Sequence, residues 1–565
     1  MSVGHPGRIN PKATLSVGLG IGSLVLAFFG GFVLGIPAMA AGYAARRDIN
    51  LSGGAEGGRG RATAGILTGL IGTVVSALFA ASVVVGMWSD PVGSPERAWR
   101  PPTAVPTVDT SALQPFYTQS LRWTDCGIGK CTHAKMPIDY AKPGGKTLQV
   151  AVEVVPALGA GGRKLFLNPG GPGASGIHFS DYLAAKISPK VRKHYDLVNV
   201  DPRGVGESTP VDCVSESAFA AFAASDPDPD TPAEIKNFRE EHRQLGEGCK
   251  RRSGAVAAHV STEEVARDFD VLRSLLGQRK LDWFGFSYGT AIGATYATLF
   301  PHRVGRMVLD GPVDPSEGVI DAGLSQAVGF QRALRAYVDD CTSRWHCPLG
   351  RNESKAMHRI AELLRRLDRH PMRTDNPNRK LTQGLAFYGI AKPLYSKSTW
   401  ISLSNAFDAA LQGDGSVLAR LADAYFEEAN GEVFLAVSCL DARDQPTVAD
   451  VEAAEPKFVR ASPVFGRALA WGSLGCSDWP IKATHPQIDI EAKTSTPALI
   501  VGTTGDPATP YESAKALTKQ LSSSVLLTRV GNGHTAYASG DDCVDDAVDR
   551  YLLSGKPPAK GTVCR

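Results

Sequence analysis

The stretch "LDWFGFSYGT", residues 281 to 290, restricts the fold more than any other part of the chain. Five or six apolar residues read as a strand buried on both faces. Ser287 follows between Gly285 and Gly289, and "YGTAIGATYATLF" then reads as a helix rich in small residues. A strand that turns at once into a helix through a glycine-flanked Ser is a nucleophile elbow: small neighbours allow a tight turn, and the hydroxyl is left exposed at the edge of a sheet. The competing assignment, a turn Ser with no chemistry, rests on the glycine richness of the chain, 60 Gly in 565 residues.

The rest of the chain repeats the pattern. "KLFLN" (164–168), "YDLVNV" (195–200), "GRMVL" (305–309), "ALIVG" (498–502) and "VLLTRV" (525–530) are short apolar runs, as strands covered on both faces should be. "TLQVAVEVV" (147–155) alternates as a half-buried strand. Helical patterns separate several of them, clearest at 262–277, where Ser261 and Glu264 have the spacing of a capping box. The expected fold is therefore α/β, a mostly parallel sheet with helices on both faces. Between Pro312 and Pro480 the alternation gives way to helical patterns, expected to form a lid inserted into a core of residues 111–311 and 481–565.

A nucleophilic Ser needs a base and an acid, which on this kind of sheet follow in the order Ser, acid, His. Asp506 in "GTTGDPATP" and Asp310 ending "MVLDG" are the candidate acids. Asp506 is preferred because it lies in the loop between the last two strands. His534 in "VGNGHTAY" is the only His after Asp506 and stands just beyond the last strand. The Gly-rich "LNPGGPGASG" (167–176) follows an early strand and offers backbone amides for an oxyanion, with Gly171 as one donor and Tyr288 as the other. A phosphate loop is disfavoured, since no G-K-[ST] is present and Pro172 removes a donor. Asp201 and Arg203 in "DPRGVGES" are expected to brace a loop near the site.

Residues 14–45 and 63–88 carry no charge and are each long enough to cross a bilayer. The loop between them, "RRDINLSGGAEGGRGR", carries four Arg and should face the cytoplasm, which sends the C-terminal part outside the cell. A cleaved signal peptide is the alternative for the first stretch, with "AMA" near Ala40 as a processing site. Residues 1–88 are thus expected to be a membrane domain, and the Pro-rich segment 89–110 a linker. Ten Cys all lie beyond the second stretch, in five neighbouring couples: Cys126 and Cys131, Cys213 and Cys249, Cys341 and Cys347, Cys439 and Cys476, Cys543 and Cys564. Sequential disulfides in an oxidising compartment are expected; zinc is disfavoured because no second close pair completes a tetrahedral site. A net charge of +3 offers no basic surface for nucleic acid. No cofactor or metal is implied.

Together, "NPGGPGASG", "DPRGVGES", "DWFGFSYGT", "GDPATP" and "GNGHTAY", in this order over residues 120–565, resemble the α/β-hydrolase peptidases related to prolyl aminopeptidase, nearest to the secreted bacterial tripeptidyl aminopeptidases. The resemblance implies a triad of Ser287, Asp506 and His534 and release of short peptides from free N-termini. Prolyl aminopeptidases carry His where this chain has Asn168 and Pro169, which argues against release of single prolines. The N-terminal stretches resemble a small bacterial membrane domain fused to varied partners. Recognition of a free amine requires a carboxylate, which the family takes from its lid; Asp441 in "AVSCLDA" is the candidate, with Glu432 and Glu428 behind it. An esterase or lipase with the same triad, or a catalytically idle binding protein on the same fold, are the rival functions.

Overall fold

In the computed structural model, the described residues are 111–565 apart from 160, 429 and 485–486, together with 8–9, 11–12, 14–16, 19, 32–51, 56–57, 60–71 and 73. The chain divides into two compact units, Met1–Ala98 and Trp99–Arg565.

In the first unit a helix spans Phe32–Leu51. The two expected membrane crossings are not found among the described residues, where no helix is long and apolar enough to cross a membrane. The Phe32–Leu51 helix takes in only the end of the 14–45 stretch and continues through Arg46, Arg47 and Asp48, charges that a bilayer interior excludes. Most of the 63–88 stretch lies outside the described residues.

The second unit is built on one ten-stranded sheet. Its strands are β1 (Thr124–Cys126), β2 (Gly129–Pro137), β3 (Thr147–Val155), β4 (Arg163–Asn168), β5 (Tyr195–Val200), β6 (Leu281–Phe286), β7 (Val304–Asp310), β8 (Leu499–Gly505), β9 (Val525–Asn532) and β10 (Val563–Cys564). They lie in the order β10-β9-β8-β7-β6-β4-β5-β3-β2-β1. Strands β1, β2, β3 and β5 pair antiparallel in succession, and the pairs from β5 to β10 are parallel. Every residue of β5 and of β6 is buried, Asp196, Asn199 and Asp282 included, as in strands covered on both faces.

Helices α1 (Ser180–Lys186), α2 (Glu216–Ala223), α3 (Pro232–Ser253), α4 (Thr262–Leu275) and α5 (Gly289–Leu299) precede the inserted segment, and two more stand near the C-terminus; α1, α4 and α5 pack on the sheet, whereas α2 and α3 pack with the inserted helices. Between β7 and β8 the described residues form eight α-helices, from Val319–Ser343 to Gly466–Gly472, with a two-stranded ribbon at Met372–Arg373 and Lys380–Leu381. Phe330, Leu334, Tyr337, Trp400 and Phe407 give these helices an apolar core apart from the clusters on the sheet. Five disulfides join Cys126–Cys131, Cys213–Cys249, Cys341–Cys347, Cys439–Cys476 and Cys543–Cys564.

The expected capping box at α4 takes another form. The Ser261 hydroxyl donates to the Glu264 carboxylate at 3.0 Å, and the first helical amide, that of Thr262, donates at 3.0 Å to Asp441 from the inserted helices. A distant carboxylate thus satisfies the first helical amide, one that a capping box leaves open.

Candidate active site

β4 and β6 are neighbours, with Asn168 paired to Gly285, so the loops that leave their carboxyl ends meet at once. Ser287 directly follows β6 with φ of 53°, a left-handed conformation that a side chain rarely adopts outside a forced turn. Its amide donates to the Asp310 carbonyl at 2.9 Å, and its own carbonyl accepts from Thr290 at 2.8 Å. A Cβ on Gly285 would stand 2.2 Å from the Gly289 carbonyl oxygen, so only Gly lets the chain turn this sharply. A Cβ on Gly170 would stand 2.9 Å from that of Ser287, and its absence brings the Gly-rich loop down onto the elbow.

Gly171 and Tyr288 line the same cavity as Ser287. Among the described residues neither of their amides has a hydrogen-bond partner. The loop that carries Gly171 is braced from below: Asp201 accepts from the Ser175 hydroxyl at 2.6 Å and from the Ile177 amide at 3.0 Å. Arg203 clamps Asp268 through two contacts of 2.7 Å, inside the protein. Both residues thus brace loops, as their motif suggests.

Asp506 and His534 sit on the loops after β8 and β9. The imidazole Nδ1 lies 3.0 Å from each oxygen of the buried Asp506 carboxylate, which therefore fixes the proton on Nδ1 and leaves Nε2 as the basic nitrogen. Asp506 also accepts from the amides of Ala508 and Thr509 at 3.0 and 2.9 Å. Asp310, the alternative acid, is equally buried but faces elsewhere: it accepts from the amides of Ala536 and Tyr537 at 2.9 Å. Burial pushes the Asp310 carboxyl up to about 6.

The inserted helices reach this machinery. The His534 amide donates to the Tyr395 carbonyl at 2.8 Å, and the Tyr395 ring meets the imidazole edge-on at 5.1 Å. Ser287, His534, Gly171 and Tyr288 open on a cavity of about 1550 Å³. Its aromatic wall includes Tyr388, Tyr425 and Phe426, with Phe219, Phe222 and His242 from α2 and α3. Sequence reasoning assigned 111–311 wholly to the core and missed that the Glu216–Ser253 helices line this cavity; the Cys213–Cys249 couple was the one signal that they form a unit.

Of the three acids named for amine binding, the two with described side chains separate. Asp441 lines the cavity; its carboxylate accepts from the Thr262 amide and hydroxyl, and that hydroxyl also meets the Tyr288 hydroxyl at 2.5 Å. Burial pushes Asp441 up to about 6, and burial, reinforced by Asp441, pushes the Tyr288 hydroxyl well above its ordinary value. Glu432 does not line the cavity: its carboxylate accepts from the amides of Cys213 at 2.7 Å and Val214 at 3.3 Å, and so joins the inserted helices to the core. The Glu428 side chain lies outside the described residues.

Fold and site together define a serine hydrolase on an α/β sheet. The comparisons carry this further. Residues 165–414 match the alpha/beta hydrolase fold family, and 462–564 match the TAP-like protein family. The chain is 35% identical over 483 residues to a protein named serine protease Hip1 from Mycobacterium tuberculosis, covering 80% of this chain and 92% of that one. It is 33% identical to a tripeptidyl aminopeptidase of Streptomyces lividans, covering 78% and 86% of the two chains. It is also 35% identical to a protein named carboxylesterase B from M. tuberculosis, covering 82% and 94%. The chain belongs to this family of TAP-like α/β hydrolases.

Proposed function

We propose that the protein is a serine aminopeptidase that releases short peptides, of tripeptidyl type, from free N-termini. The observation that carries the reading is the cavity itself: an elbow Ser and an Asp-paired His share it with the carboxylate of Asp441, which supports binding of an ammonium group there. Ser287 attacks the scissile carbonyl while His534 Nε2 takes its proton, and Asp506 holds the imidazolium that forms. The amides of Gly171 and Tyr288 receive the oxyanion. Collapse of the tetrahedral intermediate breaks the C–N bond as His534 returns the proton to the leaving amine. Water then repeats the sequence on the acyl-enzyme and frees the short peptide.

The names of the Hip1 and tripeptidyl aminopeptidase relatives support a peptidase. The carboxylesterase B relative supports a rival reading, ester hydrolysis by the same three residues. The uncharged stretches 14–45 and 63–88, the Arg-bearing loop between them and the five disulfides support a membrane-tethered enzyme with its hydrolase part outside the cytoplasm.

The test is cleavage by the full chain of two tripeptidyl anilides, one with a free N-terminus and one acetylated. The aminopeptidase reading expects the free anilide to be cut and the acetylated one spared. Ser287→Ala should lower turnover by about 10⁶-fold and abolish labelling by a fluorophosphonate. Equal cleavage of both anilides, with a simple ester turned over through Ser287, would replace the aminopeptidase by an esterase.

A further inference from the structure

Ser287 is flanked by two rings that pack into different parts of the molecule. Tyr288 packs against the clusters that hold Val260 and Leu440 and is tied through Thr262 to Asp441. Phe286 belongs to the cluster with Leu183, Phe284 and Tyr537, on the side of α1. The last residue of α1 is Lys186, whose ammonium lies 5.4 Å from the centre of the Phe286 ring and 5.4 Å from that of Tyr182. Asp441 and Lys186 both line the cavity, each attached to a different neighbour of the nucleophile.

Lys186 forms no ion pair among the described residues, and its hydrogen bond there is a long one, 3.5 Å to the Tyr537 carbonyl oxygen. Asp310, the carboxylate whose charge it senses, is engaged by the amides of Ala536 and Tyr537. A half-buried ammonium held between aromatic faces at the edge of a cavity, with no anion of its own, is suited to an anion that arrives with the ligand.

We infer that Lys186 receives the C-terminal carboxylate of the leaving peptide, so that the preferred substrates are short peptides ending one or two residues beyond the cut bond. The inference rests on the aminopeptidase reading: with the substrate amine at Asp441 and its carbonyl at Ser287, the chain continues past Phe286 toward Lys186. Acid at one end and base at the other match the two charges of a free oligopeptide and select against long chains, whose carboxylate lies far from the site.

Tetra-alanine and penta-alanine, each as the free acid and as the C-terminal amide, test this on the full-length protein. The wild type is expected to favour at least one acid over its amide by about tenfold in kcat/KM. Lys186→Met should bring that ratio to near one, and Lys186→Arg should keep most of it. A wild-type ratio of one in both pairs overturns the inference, as does a Lys186→Met ratio equal to the wild type's; should Lys186→Met not fold, the wild-type ratio decides. The matched anilides separate the two failures. Preference for the free anilide with no acid-to-amide preference removes the role of Lys186 alone, whereas no preference between the anilides removes the aminopeptidase reading and this inference with it.

Discussion

Asp310 ends β7 and Asp506 directly follows β8, two adjacent parallel strands, and both acids are fully buried. The Asp506 carboxylate faces the imidazole of His534. Asp310 faces two backbone amides on the same His-bearing loop, at Ala536 and Tyr537. One acid therefore sets the protonation and direction of the base, while the other sets the path of the chain that carries it. Burial at a strand end does not make a carboxylate part of the chemistry; the partner does. Asp441 is a third case, a half-buried acid whose Thr262 contacts tie the inserted helices to α4 while it faces the cavity.

Asp506→Asn gives the largest difference between the two. An amide opposite Nδ1 favours the wrong tautomer, and turnover should fall by about 10⁴-fold. The fold should survive, since the Ala508 and Thr509 amides still find an oxygen acceptor. Comparable turnover loss in Asp310→Asn, with unchanged thermal stability, would break the distinction between the two acids.

Asp441→Asn has a smaller effect that is specific to substrates with a free amine. Loss of the ammonium partner should lower the kcat/KM ratio of free to acetylated substrate by about tenfold, chiefly through KM. Equal loss on both substrates would make Asp441 a strut like Glu432, acting only through Thr262 and Tyr288.

The parts of the site that stand just beyond strands were legible in the sequence. Ser287, Asp506 and His534 each follow a recognisable apolar run, so chain order and strand ends located them. What escaped depends on contacts between distant segments. Glu432 and Asp441 belong to one short helix and look alike in sequence, yet one turns to Cys213 and Val214 and the other to the cavity. Ser261 and Glu264 have the spacing of a capping box, but their side chains bond each other, and the first helical amide, that of Thr262, finds its acceptor 179 positions away. The Tyr388, Tyr425 and Phe426 wall was equally hidden, because apolar residues at helical spacing read as core whether they face a neighbouring helix or a cavity.

The smallest expected effect, and the most direct on the structural acid, is the pH dependence of stability in Asp310→Asn. The folded protein raises the Asp310 carboxyl from 3.8 to about 6, because burial disfavours the charge more than the Ala536 and Tyr537 amides favour it. A carboxyl raised on folding binds its proton more tightly in the native state, so its contribution to stability is full below the unfolded value and is lost as pH rises through about 6. Asn cannot titrate, and its NH₂ group must oppose one of the two backbone donors, at a cost of about 1–3 kcal/mol. The variant should therefore melt below the wild type, by several degrees at pH 4, with a gap that narrows toward pH 7. Thermal melts of both proteins across that range measure it. A gap that is constant with pH would mean that Asp310 is ionised throughout, held by the Ala536 and Tyr537 amides of the His534 loop more strongly than burial opposes it; the two strand-end acids would then differ only in what they touch and not in their charge.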